Sequence, residues 1–296
     1  MMRGERAVEG GLPSSQIGEA LLRLLLLSEE KRISSAILDG RTVWIKRYDA
    51  EARHWGKRLH ELLSPVMPKS FLRASRRADA SGMVDREIRK MEAFRQAGFD
   101  VPDLVYRGRT VIVLSHVADI VEHELRRLRS VDPDEHDELL VGAAGALGHV
   151  HGAGLCHGRP HPRDMFMSGG RWGFVDFEEE PEAAMPLRAA QGRDIWLLFM
   201  QISANAMLQD TEERALAAYA QAGPKGALEQ LDSIVSFCSP LLPPLGLLEN
   251  AVLGKDLRRL LKATRYLKRA LVSIGAHSDA SASSRKTKAI FGNRDA

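Results

Sequence analysis

Residues 157–178 read His157-Gly158-Arg159-Pro160-His161-Pro162-Arg163-Asp164-Met165-Phe166-Met167-Ser168-Gly169-Gly170-Arg171-Trp172-Gly173-Phe174-Val175-Asp176-Phe177-Glu178. A polar loop leads into two short apolar runs joined by a Gly-Gly turn. The second run ends on Asp176, an acid set between Val175 and Phe177. Asp164 before such a hairpin and Asp176 after it form a pair of carboxylates suited to holding a metal ion against phosphate groups.

In the kinase pattern a catalytic-loop acid precedes a metal-binding amide by about five residues, and a second metal-binding acid opens an Asp-Phe-Gly element about a dozen residues later. Asp164 stands at the amide position, Asp176 at that of the second acid, and Arg159 at that of the catalytic acid. Here the sequence resembles the protein-kinase-like superfamily. Within it the likeness is to the bacterial lipopolysaccharide core (Kdo/heptose) kinase type, whose loop commonly runs His-Gly-Asp-Leu-His-Pro-Gly-Asn before an Ile-Asp-Phe-Glu. His157, Gly158, His161, Pro162 and Asp176-Phe177-Glu178 match that pattern, and Arg159 and Asp164 depart from it. The resemblance spans residues 33–200, with specific motifs at 43–46 and 157–178.

What the resemblance implies is an α+β, two-lobed fold with a small β-rich lobe followed by a larger helical one. It implies ATP and Mg2+ as cofactors, and transfer of a phosphoryl group to a sugar, glycolipid or other hydroxyl acceptor. The implied catalytic residues are His157, Arg159 and Asp164, and the implied metal ligands are Asp164 and Asp176. Asp194 resembles the acid that accepts backbone hydrogen bonds from the catalytic loop. Its place before an apolar run also reads as a helix N-cap, with a helix opening at Gly192.

Upstream, Ile33–Leu38, the Asp39-Gly40 turn and Thr42–Tyr48 predict a β-hairpin. Val43-Trp44-Ile45-Lys46 resembles the strand whose lysine reaches the nucleotide phosphates. Ser81–Ala97 predicts a helix with Val84, Ile88 and Met91 on one face and Gly98 at its C-terminal end. Glu87 borders that face and is the candidate partner of Lys46, with Glu92 the fallback. The stretch before Lys46 has no Gly-x-Gly-x-x-Gly, so Ser34, Ser35 and backbone N–H groups are expected to serve the phosphates there. Val111–Ser115 reads as a strand leading to a hinge at His116–Ile120. Asp132-Pro133-Asp134-Glu135 reads as a capped helix start. Ala and Gly at 142–146 predict close helix packing, and His149 and His151 are expected as cap or surface residues.

These readings divide the chain into an N-terminus of little buriable surface (1–15), an N-lobe (16–117), a helical C-lobe (118–277) and a disordered tail (278–296). A short helix is predicted at 16–27 and a basic segment at 53–77, read either as a solvated helix face or as a surface for an anionic acceptor. The 296 residues are 44% hydrophobic and 27% charged, with a net charge of +3, an ordinary balance that does not call for nucleic acid. Only Cys156 and Cys238 occur, which supports neither a disulfide framework nor a zinc cluster. The prolines around His157 and His161 argue against a helical pair of zinc ligands. No nucleophile-elbow or Walker motif is present. Without an export or membrane-spanning segment in view, the expected location is cytoplasmic, with peripheral contact at the inner membrane face.

Two classes of function fit. One is an active phosphotransferase; the other is a catalytically impaired nucleotide-binding or regulatory protein. Arg159 separates them, because a guanidinium cannot accept a proton from an acceptor hydroxyl.

Overall fold

The structure, a computed structural model, describes residue 25, residues 31–49, 78–243 and 258–272. The expectations for the N-terminus, most of the helix at 16–27, the basic segment at 53–77 and the C-terminal tail lie outside the described residues. The fold is α+β. The chain divides into two compact units, residues 1–121 with 163–184, and residues 122–162 with 185–296.

The first unit is built on a four-stranded antiparallel sheet of β1 (Ile33–Leu38), β2 (Arg41–Arg47), β3 (Leu104–Arg107) and β4 (Val111–Ser115), in the order β1-β2-β4-β3. Asp39 and Gly40 both have positive φ, +53° and +73°, the conformation a two-residue hairpin needs to match strand twist. The register then fixes the faces: Ile45 lies opposite Ser34, and Lys46 opposite Ile33 and Ile112. Leu38, Val43, Ile45, Val111 and Val113 form the core on one face. Lys46, one residue on, is turned to the other face. Ser34 therefore points away from Lys46, and only Ser35 shares its side. The expectation that both serines serve the same site is corrected by this alternation.

Helix α1 (Ala80–Gln96) begins at the Asp79 cap, whose carboxylate accepts from Gly82 N at 2.8 Å. It ends before Gly98, whose φ of +90° takes the left-handed position after a C-cap. Its buried residues include Val84, Glu87, Met91 and Phe94, which share one face, while Ile88 is half-exposed. Phe94 packs on Phe177 and Phe174 at ring-centroid distances of 4.7 and 5.5 Å. That aromatic cluster fastens α1 to the hairpin of β5 (Met165–Ser168) and β6 (Arg171–Phe174), turned by Gly169-Gly170.

The second unit is helical: α2 (Val121–Leu128, of which Val121 closes the first unit), α3 (Pro133–Gly152), α4 (Leu187–Asn205), α5 (Thr211–Ala222), α6 (Lys225–Cys238) and residues 258–272. Asp132 caps α3 by accepting from Glu135 N at 2.9 Å. The small residues of α3 let α5 approach: a Cβ on Gly148 would lie 2.7 Å from the Tyr219 carbonyl oxygen. Helix α4 starts at Leu187 after Pro186, five residues before the predicted opening, so Asp194 is mid-helix and is not an N-cap. His151 is fully buried rather than at the surface, whereas His149 is exposed. No helix among the described residues is long and apolar enough to cross a membrane.

Candidate nucleotide and metal site

Lys46 is the centre of the first unit's polar core. Its ammonium donates to both oxygens of Glu87, at 2.8 and 2.9 Å, and to Asp176 Oδ1 at 3.0 Å. Glu178 Oε1 lies 3.1 Å away. Glu87 is entirely buried, and Tyr48, just past the end of β2, also donates to it through its hydroxyl. Burial works against the charge on Lys46, but the surrounding carboxylates, Glu87 foremost, outweigh it and hold the amine protonated well above its usual range. Burial, seconded by Glu87, pushes the Tyr48 phenol up, so it remains a donor. Breaking such a pair by removing one partner costs about 3–5 kcal/mol, since a buried charge is stranded. The fallback Glu92 is exposed and bonds instead to Arg95 and Gln96 on its own helix.

A second set of charges keeps α1 against the segment after Asp176. Lys90 Nζ reaches Glu182 at 2.9 Å and the Glu179 carbonyl at 2.8 Å. Arg86 donates to the Glu178 carbonyl at 3.0 Å and lies 3.4 Å from Glu180, while Arg32 pairs with Glu178. Asp176 has a φ of +67°, a conformation uncommon for a non-glycine residue and concentrated at functional sites. Asp164 is brought in through the backbone, its carbonyl accepting from Val175 N at 2.9 Å. The residue is 5% exposed, with Arg163 Nε 3.4 Å from Oδ1.

For a metal ion the donor set is informative. Oxygens of Glu87, Asp176 and Glu178 all lie within 4.8 Å of one another, an all-carboxylate cluster of the kind hard cations such as Mg2+ take. Asp164 is not part of that three-carboxylate cluster. Sequence reading did not assign Tyr48 or Glu178 to the site: Tyr48 lies two residues after Lys46, where the strand period was available as a signal, whereas Glu178 follows Asp176, whose positive φ breaks any such period.

His157 and Arg159 lie in the second unit. Asp194, fully buried on α4, accepts from His157 N at 2.8 Å, from Gly158 N at 3.0 Å and from Cys156 Sγ at 3.2 Å. His151 Nε2 is 3.5 Å from Asp194, and its Nδ1 is 2.8 Å from the Tyr219 hydroxyl. One turn earlier, Gln191 donates to the carbonyls of His151 and Leu155. Helix α4 thus holds the loop from both ends of its approach. His157 is 1% exposed and Arg159 is exposed.

No protein-family model matches the chain. An uncharacterized protein of Haemophilus influenzae is 24% identical over 203 residues, 69% of this chain and 76% of that protein. Among solved structures, the Rio2 kinase of Chaetomium thermophilum in complex with ADP/Mg2+ and phosphoaspartate is 17% identical, with 90% of this chain and 81% of that one covered and a TM-score of 0.35. The MAP kinase LmaMPK10 of Leishmania major is 16% identical over 86% and 81%, also at 0.35. Rv3197 of Mycobacterium tuberculosis, in complex with erythromycin, is 17% identical over 81% and 70%, at 0.33.

Proposed function

We propose that the chain is an ATP-dependent phosphotransferase acting on a hydroxyl acceptor, and that the acceptor is a sugar of the lipopolysaccharide core. The observation that supports this most is Lys46, held at both oxygens of Glu87 and 3.0 Å from Asp176. A buried, permanently protonated amine fixed by one carboxylate is set to meet the phosphates of a nucleotide. Lys46 can leave Asp176 and Glu178 for those phosphates while Glu87 keeps its hold.

Bound Mg2+ would neutralise charge on the transferring phosphoryl. Asp176, with Asp164 or Glu178, would hold it. His157, buried with its backbone tied to Asp194, acts as a positioning residue for the loop. Arg159 offers a fixed fork of donors to the phosphoryl oxygens, and proton removal falls to Asp164.

A second reading is favoured by one residue. Arg159 in place of the catalytic acid fits a nucleotide-binding protein without turnover, since a lost general base typically costs about 10²–10⁴ in rate. On the acceptor side, mass spectrometry of envelope lipids from a strain lacking this chain, set against its parent, is the test. The expected result is loss of a phosphate from the lipid core in the strain without the chain. Identical lipid cores would remove the sugar acceptor from the proposal.

A further inference from the structure

The second unit holds a cavity of ≈ 120 Å³ whose walls include Arg126, Arg129, Arg259, His136 and His161, with Glu122 the carboxylate among the lining residues. Glu122 is 2.5 Å from Arg126, an i, i+4 pair on α2. Three arginines therefore line a space facing one carboxylate, and that carboxylate is already engaged. Two of its walls, His161 and Pro162, come from the loop that carries Arg159 and ends at Asp164.

His136 makes this more than a basic surface. It is 1% exposed, and its Nδ1 is 2.5 Å from Asp137 Oδ1. Asp137 is itself buried and also accepts from Met207 N at 2.8 Å and Leu208 N at 2.7 Å, as well as from the Thr211 hydroxyl. Burial alone would raise its carboxyl, but those donors outweigh it and keep it ionised. An ionised Asp137 holds the proton on His136 Nδ1, which leaves Nε2 as the nitrogen for the cavity. At Nε2 the ring accepts a hydrogen bond from the hydroxyl of a singly protonated phosphate. A buried imidazole oriented by a carboxylate, beside arginine forks, recognises a tetrahedral oxyanion. The volume has room for one such group.

We infer that this cavity is an oxyanion subsite that takes a phosphate group already present on the acceptor, holding it by Arg126, Arg129, Arg259 and His136 while a neighbouring hydroxyl of the same molecule is presented to the loop. The inference rests on the phosphotransferase reading for its purpose, but not for its chemistry. The acceptor is then a phosphorylated alcohol, either soluble or carried on a lipid.

The test is calorimetric titration of inorganic phosphate into the full chain carrying Lys46→Met, which disables the nucleotide site. Phosphate should bind this variant as it binds wild type, and adding Arg126→Gln with Arg129→Gln should weaken it about tenfold or more. Both arginines are exposed, so the double variant tests charge rather than folding. Arg129→Lys should retain part of the affinity. Phosphatidylcholine vesicles doped with phosphatidic acid form the second arm: arginine-dependent retention assigns a lipid-carried acceptor, and phosphate binding without retention assigns a soluble one. Phosphate affinity that is absent, or unchanged in the double variant, overturns the subsite. Mg2+·ATP binding should be the same with and without the two arginine substitutions. Its absence even in wild type would count against the kinase reading and leave the oxyanion subsite standing.

Discussion

Asp194→Ala should cost the fold about 3–5 kcal/mol, the range for removing one member of a buried charged network. The reason is the number of groups left behind. His157 N, Gly158 N, Cys156 Sγ and His151 Nε2 all converge on this one carboxylate, and none is near water. Against a total stability of about 5–15 kcal/mol for a typical domain, that loss is large. Urea unfolding of wild type, Asp194→Ala and Asp194→Asn measures it, with the asparagine intermediate because it keeps an acceptor oxygen. A change under about 1 kcal/mol would mean the loop is held by other means.

The same network sets an acid limit. Burial holds the His151 imidazole below its ordinary value, with Asp194 opposing. Below about pH 6.5 the unfolded chain takes up a proton that folded His151 refuses, so stability falls as pH drops toward the folded value. Asp194 is also held below the usual carboxylate range: burial would raise it, but His151 and the loop N–H groups prevail. Its contribution is present above the ordinary carboxylate value and is lost as pH falls through the folded one. The His151 effect predicts lower urea midpoints at about pH 5 than at pH 7, a decline that His151→Gln removes, and the Asp194 effect adds a further fall only below about pH 4.

The second large effect concerns turnover. If the chain transfers phosphate, Asp164→Asn should lower the rate by about 10²–10⁴, the usual worth of a positioned base, and more if the carboxylate also holds metal. Arg159→Ala should lower it less, because other donors and the metal share the charge on the phosphoryl. Release of ADP by the purified full chain, with acceptor present, is the readout. In the alternative reading wild type and both variants are equally silent. Arg159→Asp then gains turnover by returning an acid to the loop. That gain from a silent wild type would overturn the preferred reading.

Much of the first unit was legible because its local rules agree. Asp39-Gly40 between β-prone runs allows few other turns, and once that hairpin is set, Lys46 and Ile45 must face opposite ways. The pairing of Lys46 with a glutamate on α1 was implied by the kinase-like resemblance, and spacing left Glu87 and Glu92 both open until the buried face of α1 decided for Glu87. The buried face of α1 was harder to read, since it includes Glu87 and is flanked by buried Arg86 and Lys90. Hydrophobic periodicity cannot see positions buried by ion pairs with the chain at 178–182, so Ile88 was placed inside and Glu87 at the edge. The start of α4 was hidden for a related reason. Pro186 offers no side-chain cap, whereas Asp194 has the type and flanks of one and is used instead as an acceptor for a loop more than thirty residues earlier. His151 could not be placed from sequence, because its partners, Tyr219 and Asp194, are distant in the chain.

The central claim is that Lys46, Glu87 and Asp176 form a nucleotide site, and calorimetry of Mg2+·ATP with the purified chain tests it most directly. Wild type should bind, Lys46→Met should bind weakly because the phosphates lose their buried ammonium, and Asp176→Ala should respond little to Mg2+. Binding of equal strength in all three, or none in wild type, would contradict the assignment.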